Sequence, residues 1–165
     1  MGGCQCESNN QQNFDEQIDL GSTQIILYYS NENTASRALK AFLDAGKFRY
    51  EKNQVDLFKL QSHSQDILKL NPEGTVPFLL INDELFQESP SVMRLLTTII
   101  SPLASFYPED PFTRQKIDAA LDFSTFTLRP CLRTFSTIWL KAWMLGQTSL
   151  DEASVGLVKE AGEQC

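Results

Sequence analysis

The junction Val76-Pro77 heads the apolar run Phe78-Leu79-Leu80-Ile81, and it limits what the chain can build more than any other pair of residues. The run reads as a strand, yet a proline at the first position of a central strand cannot donate to the ladder. A cis bond before Pro77 resolves the conflict, since the cis form of an X-Pro bond costs only about 0.5–1 kcal/mol. That geometry turns the N–H and C=O of Val76 outward, where an extended peptide can pair with them as an added strand. Upstream, Asn71-Pro72 and Gly74 are turn signals. Downstream, Asn82-Asp83 separates the run from Glu84-Leu85-Phe86-Gln87 as a tight hairpin, both turn residues tolerating positive φ. Glu88-Ser89 then opens an apolar helical pattern, so an acid and a hydroxyl stand where a helix leaves backbone N–H groups unpaired. An edge-strand proline and a helix cap account for each feature singly; their spacing predicts a shared cleft.

Around this block the chain alternates strand and helix. Ile25-Ile26-Leu27-Tyr28-Tyr29 predicts a first buried strand. Ser30 to Thr34 is a polar loop of helix-capping types. The helix after it carries Leu39, Phe42 and Leu43 on one face and stops at Ala45-Gly46. Phe48 to Leu57 predicts a second strand, parallel to the first because a helix crosses between them. Lys59 to Leu70 predicts a looser helix or loop anchored by Ile67, Leu68 and Leu70. Val92, Leu95, Leu96 and Ile99 mark a third helix ended by Ser101-Pro102. The fold class expected is α/β: a thioredoxin-like domain (β-α-β-α-β-β-α) over 23–101, followed by a short all-α region over 108–165.

Leu103 to Asp110, with Pro108 inside it and Pro102 and Pro111 on either side, reads as a linker. Beyond it Ile117, Leu121, Ser124, Leu128, Leu132, Phe135, Trp139 and Trp143 recur at helical spacing and predict one buried stripe. Pro130 falls within it, so two helices or one kinked helix are expected. A last short helix is expected from Ser149 and Asp151-Glu152 through Leu157-Val158.

Residues 1–22 are rich in Gln, Asn and Ser, lack Lys and Arg, and predict a disordered tail. The opening Met-Gly-Gly-Cys-Gln-Cys resembles an acylation signal, with myristoyl on Gly2 and palmitoyl on Cys4 and Cys6. Two chains would be required, because one binds membranes only marginally. The net charge of −7 argues against nucleic acid as a partner. The cysteines, Cys4, Cys6, Cys131 and Cys165, form no Cys-x-x-Cys pair, and the single His63 cannot complete a Cys/His zinc cluster. A polar N-terminus and this cysteine usage predict free thiols in a cytoplasmic protein, membrane-associated if acylated, with no metal.

Val-Pro, an apolar strand, a hairpin and Glu-Ser before a helix resemble the glutathione site of the glutathione transferases. Leu27-Tyr28-Tyr29 with Arg37, Val55-Asp56-Leu57, and Tyr107-Pro108-Glu109-Asp110 are most similar to the theta class. The resemblance covers about residues 24 to 145. It implies an enzyme that activates the glutathione thiol for attack on small electrophiles, with glutathione as co-substrate. It also implies a helical domain with more helices than this chain carries, so that domain is expected to be truncated at Cys165. The alternative is a non-catalytic relative that engages a protein partner, or a second copy of itself, through an exposed helical face.

By the same resemblance, Val76 pairs with the cysteinyl backbone of glutathione, Glu88 with its amine and Ser89 with the γ-glutamyl carboxylate. Ser62 and His63 stand at the glycyl end, where relatives often have His then Lys, and Thr75 stands where lysine is common. The catalytic serine of the theta class falls on Asn33. An asparagine N–H still donates to a thiolate, and Thr34 is the next hydroxyl, with Ser30 and Ser36 behind it. Capping the first helix is the competing role for Asn33 and Thr34. Arg129 matches an arginine on the electrophile side. No cysteine occupies the Ser30–Ser36 loop, which argues against a dithiol redox enzyme.

Overall fold

The computed structural model describes residues 19–144 together with 155, 156, 159 and 162. The chain divides into two units, Met1–Pro108 and Glu109–Cys165. The first is built on β1 (Ile25–Tyr29), α1 (Thr34–Ala45), β2 (Glu51–Gln54), α2 (Gln65–Leu70), β3 (Phe78–Ile81), β4 (Glu84–Phe86) and α3 (Ser89–Ile99). The sheet runs β2-β1-β3-β4, with β1 parallel to β2 and antiparallel to β3, and β3 antiparallel to β4. This is the thioredoxin-like order expected from the sequence.

Side chains alternate across a strand, and the two faces of this sheet bury different sets. Ile25, Leu27, Leu79 and Ile81 join Leu39 and Leu43 of α1 and Val92 and Leu96 of α3. On the other face Phe78 and Leu80 join Val55, Ile67 of α2 and Val76, with Tyr28 stacked on Phe78 at 4.5 Å between ring centroids. Because β3 feeds both cores, all four of its residues are buried. The edge strand β2, Glu-Lys-Asn-Gln, is exposed throughout. Its charged side chains discourage pairing with another edge. It is shorter than the Phe48–Leu57 strand expected.

Turn chemistry fixes the joints. Asn82 and Asp83 have φ of 49° and 66°, the left-handed pair that a two-residue hairpin requires. The Asn82 side-chain oxygen also accepts the Gln24 N–H at 3.1 Å, anchoring the start of β1. Gly46 ends α1 for a different reason than conformation, since its φ of −69° suits any residue. A Cβ there would lie 2.7 Å from the Phe48 ring and 2.9 Å from Leu103. Asp44, near the end of the same helix, accepts from Lys52 at 2.8 Å, Tyr50 at 2.7 Å and Lys40 at 3.1 Å. Hydrogen bonds from Lys52 and then Tyr50 hold its carboxyl well below the usual carboxylate range. Burial, and then Asp44 itself, push the Tyr50 phenol above its ordinary value.

Only the first part of the expected linker is otherwise occupied, since the boundary between the units, Pro108 to Glu109, falls within it. Ser101–Phe106 forms 3-10 turns with Pro102 in the first turn, and Leu103 is fully buried in the first core. A proline there forfeits no helical bond, so the proline-rich composition misled.

The second unit opens with Asp110, whose carboxylate accepts the Thr113 N–H at 2.8 Å and caps α4 (Pro111–Phe123). These bonds from Thr113 hold the Asp110 carboxyl below its usual range. The chain then widens into a π-helix over Ser124–Leu128 and continues as α5 (Arg129–Met144). Pro130 is the second residue of α5, so the two α-helices meet at a π segment just ahead of it. The proline lacks an N–H, and its ring crowds the carbonyl of Phe126 four residues back, which lies inside the widened stretch. The expected buried stripe is also corrected. No residue of α4 is buried, and Phe126, Leu128, Leu132 and Phe135 are exposed. Apolar periodicity buries a face only where another layer covers it. The side chains of Trp139 and Trp143 lie outside the described residues, and of the expected last helix only Val155 and Gly156 are described, both helical. The prediction of free thiols fails at Cys131, which is disulfide-bonded. No helix among the described residues is long and apolar enough to cross a membrane.

Candidate functional site

The sheet registers converge on one end. Tyr28 faces Phe78, Leu79 faces Phe86, and Tyr29 faces Gln54. Val55 and Ser30 follow the ends of β2 and β1, Val76 stands two residues before β3, and Ser89 opens α3. Val55 keeps its tie to the sheet, donating to the Tyr29 carbonyl at 2.7 Å. Val76 does not. The Val76–Pro77 bond is cis, as expected, and the ladder begins only at Phe78. Among the described residues the N–H and C=O of Val76 enter no hydrogen bond. Its side chain is buried in the second core, so its main chain supplies the free polar groups.

A buried asparagine holds this segment in place. Asn71, with no exposed surface, donates from Nδ2 to the Thr75 carbonyl at 2.9 Å and accepts the Glu73 N–H at 3.1 Å. Its own carbonyl accepts the Gly74 N–H at 3.0 Å. Gly74 has φ of +62°, and a Cβ would meet the Ser62 carbonyl oxygen at 3.2 Å and the His63 ring at 3.4 Å. Glycine is thus required twice over, for conformation and for close approach. Ser62 is buried and its hydroxyl lies 2.9 Å from Nδ1 of His63, which is exposed. Thr75 is exposed beside them.

On the other side of Val76, Glu88 precedes α3 with φ 62° and ψ 90° and an exposed side chain that makes no cap bond. Such a conformation is costly for a residue with a Cβ, and strain of this kind clusters at functional sites. It sets the carboxylate beside the first turn of α3, where Ser89 is 3% exposed. Backbone N–H groups at that end favour an anion.

The loop between β1 and α1 is polar. Ser30 has no exposed surface; its N–H donates to Ser36 Oγ at 3.2 Å, and its hydroxyl donates to the Glu32 carboxylate. Half-buried Asn33 caps α1, its side-chain carbonyl accepting the Ser36 N–H at 3.0 Å. That leaves the amide N–H groups of Asn33 as its donors. Thr34 is exposed at the first position of α1.

Glu88 and Ser89 thus stand at the head of α3, while Ser62 and His63 pack against Gly74, next to Thr75 in the chain. Arg129 belongs to the helical unit, half-buried at the start of α5. Gly2, Cys4 and Cys6 lie outside the described residues. Among the described residues no group of three or more His, Cys, Asp or Glu is arranged to hold a metal ion. Sequence reading missed the central part of Asn71, although Asn71-Pro72 flagged the turn that it organises.

Residues 36–101 match the family model described as glutathione S-transferase, N-terminal domain. Glutathione S-transferase 1 of Manduca sexta is 32% identical over 108 residues, 65% of this chain and 50% of that protein. Over this stretch the chain is similar to the glutathione S-transferases. It is theta-like: human glutathione S-transferase theta-1 is 31% identical over 116 residues, 70% of this chain and 47% of that protein. The chain thus spans about half the length of the curated relatives it matches. Among solved structures, a glutathione transferase homolog from Drosophila mojavensis with bound glutathione aligns with a TM-score of 0.70 at 27% identity. That match covers 86% of this chain and 64% of the other.

Proposed function

We propose that this chain binds glutathione at the Val76–Ser89 end of its sheet and activates the thiol for attack on small electrophiles. One observation carries the reading: just ahead of β3 the main chain of Val76 makes no hydrogen bond among the described residues, and a buried serine opens α3. An extended peptide donates to and accepts from Val76 as a further strand would. Glu88 pairs with the ligand's amine and Ser89, with the N–H groups of α3, receives the adjacent carboxylate. That the Drosophila mojavensis homolog carries glutathione supports the same ligand here.

For catalysis the thiol must lose its proton. Its ordinary pKa is about 8.5, so few molecules are thiolate at neutral pH. The start of α1 favours the anion, and an N–H of Asn33 or the Thr34 hydroxyl donates to the sulfur. The thiolate then attacks the electrophile, forming the carbon–sulfur bond as the leaving group departs with the electron pair.

A second reading, a non-catalytic module for a protein partner or a second copy, has its own observation. The Asn33 carbonyl is committed to capping α1, and exposed phenylalanines and leucines run along α4 and α5. Retention on immobilised glutathione, followed by conjugation of a reactive aryl halide, separates the two. Retention with turnover supports the transferase, retention without turnover supports the module, and no retention ends both glutathione readings.

A further inference from the structure

This inference rests on the proposed glutathione site and concerns its far end. A tripeptide paired with Val76, its amine at Glu88, runs its carboxyl end toward Gly74, where Ser62 and His63 pack. Beside them opens a groove of about 730 Å³, lined by Asp56, Lys59, Leu60, Gln61, His63 and Ser64. A carboxylate is ordinarily received by a cation, yet the one ammonium in this groove is already engaged. Lys59 Nζ lies 3.3 Å from the Asp56 carboxylate. Asp56 also accepts the Lys59 N–H at 3.1 Å, which, more than the ammonium, holds its carboxyl below the usual range. A second anion placed here meets an existing one. Thr75, on the other side of Gly74, is neutral.

The rim is apolar. Phe58 is 65% exposed and Leu60 69% exposed, on a tight loop in which Leu60 adopts φ +54°. The Gln61 side chain and N–H both bond Asp56, and the His63 N–H donates to the Leu60 carbonyl at 2.9 Å. These bonds hold a large apolar side chain in water, in a backbone region that L residues avoid.

We infer that this groove receives the carboxyl end of the peptide without a dedicated cation. The site therefore accepts glutathione whose glycyl carboxylate is blocked, as an ester, an amide or a further residue, about as well as the free acid. Exposed Phe58 and Leu60 offer apolar surface to the blocking group, and removing the ligand's negative charge relieves its encounter with Asp56.

The test is calorimetric titration of the full chain with glutathione and with its glycyl ethyl ester. The expected result is an ester affinity within five-fold of that of the free acid, or tighter. An ester more than five-fold weaker overturns the inference while leaving the glutathione site standing. Failure of both ligands to bind overturns the glutathione reading and this inference with it. Leu60→Lys locates the effect: adding a cation to the groove should shift the preference at least five-fold toward the free acid. An unchanged ratio in a variant that still binds glutathione means the carboxyl end lies elsewhere, and the inference falls.

Discussion

The sheet unit and the helical unit spend similar apolar residues to different ends. In the first, Leu27, Leu39, Leu79, Leu96 and Leu103 are wholly buried, each element covered by another. In the second, Leu128, Leu132 and Phe135 recur at helical spacing and remain exposed. Periodicity is equally clear in both. The difference teaches that a stripe of apolar residues specifies a face, whereas burial requires a second layer to meet it.

Paired truncations break this contrast most directly. Leu79→Ala should destabilise the fold by about 2–5 kcal/mol, the range for large-to-small changes in a core. Leu132→Ala on α5 should move it by no more than about 0.5 kcal/mol, as exposed substitutions do. Urea denaturation followed by circular dichroism reads both, and equal losses would erase the contrast. Glu88→Ala should weaken glutathione binding by about 1.5–3 kcal/mol, as for a hydrogen bond to a charged group. Because its side chain is exposed, its melting temperature should hardly move; a large drop would make Glu88 a structural residue.

Gly46→Ala probes how tightly the sheet unit is packed. Its Cβ would press on Phe48 and Leu103, with a cost of about 1–3 kcal/mol expected from overpacking. An unchanged urea midpoint would mean that the 3-10 segment yields freely. The smallest effect is electrostatic. The folded carboxyl of Asp44 titrates lower than in the unfolded chain, so its contribution is present above about pH 4. It is lost as pH falls through the depressed folded value. Tyr50, shifted upward, contributes below about pH 10 and loses that contribution at higher pH. Asp44→Asn should flatten the acid limb of the stability profile only slightly, because the pair with Lys52 is 41% exposed on each side.

Much of the sheet unit was legible because its signals are local. Val76-Pro77 announced the break before β3, Asn82-Asp83 named the hairpin turn, and Leu39 with Leu43 marked the buried face of α1. What escaped depends on neighbours distant in sequence. Leu103 looked like linker because prolines surround it, and only its packing against Gly46 reveals a core residue. The left-handed Leu60 carries no signal, since that conformation is expected of glycine or asparagine. In the candidate site, Val76, Glu88 and Ser89 were singled out through spacing and resemblance. The part played by Asn71 needed the hydrogen bonds of its buried amide to be seen. In the helical unit the proline was noticed, but a widened turn is one of several answers to it.

That widened turn has a consequence for how the helix tolerates change in length. A π segment holds one residue more than the α ladder needs, so Ser124–Leu128 is a place where the chain can shed an amino acid and still continue as helix. Every side chain downstream would then swing by about 100° around the axis, and Leu132 and Phe135 would look out over a different horizon. A single-codon deletion would in that way re-aim half of the rod without breaking it.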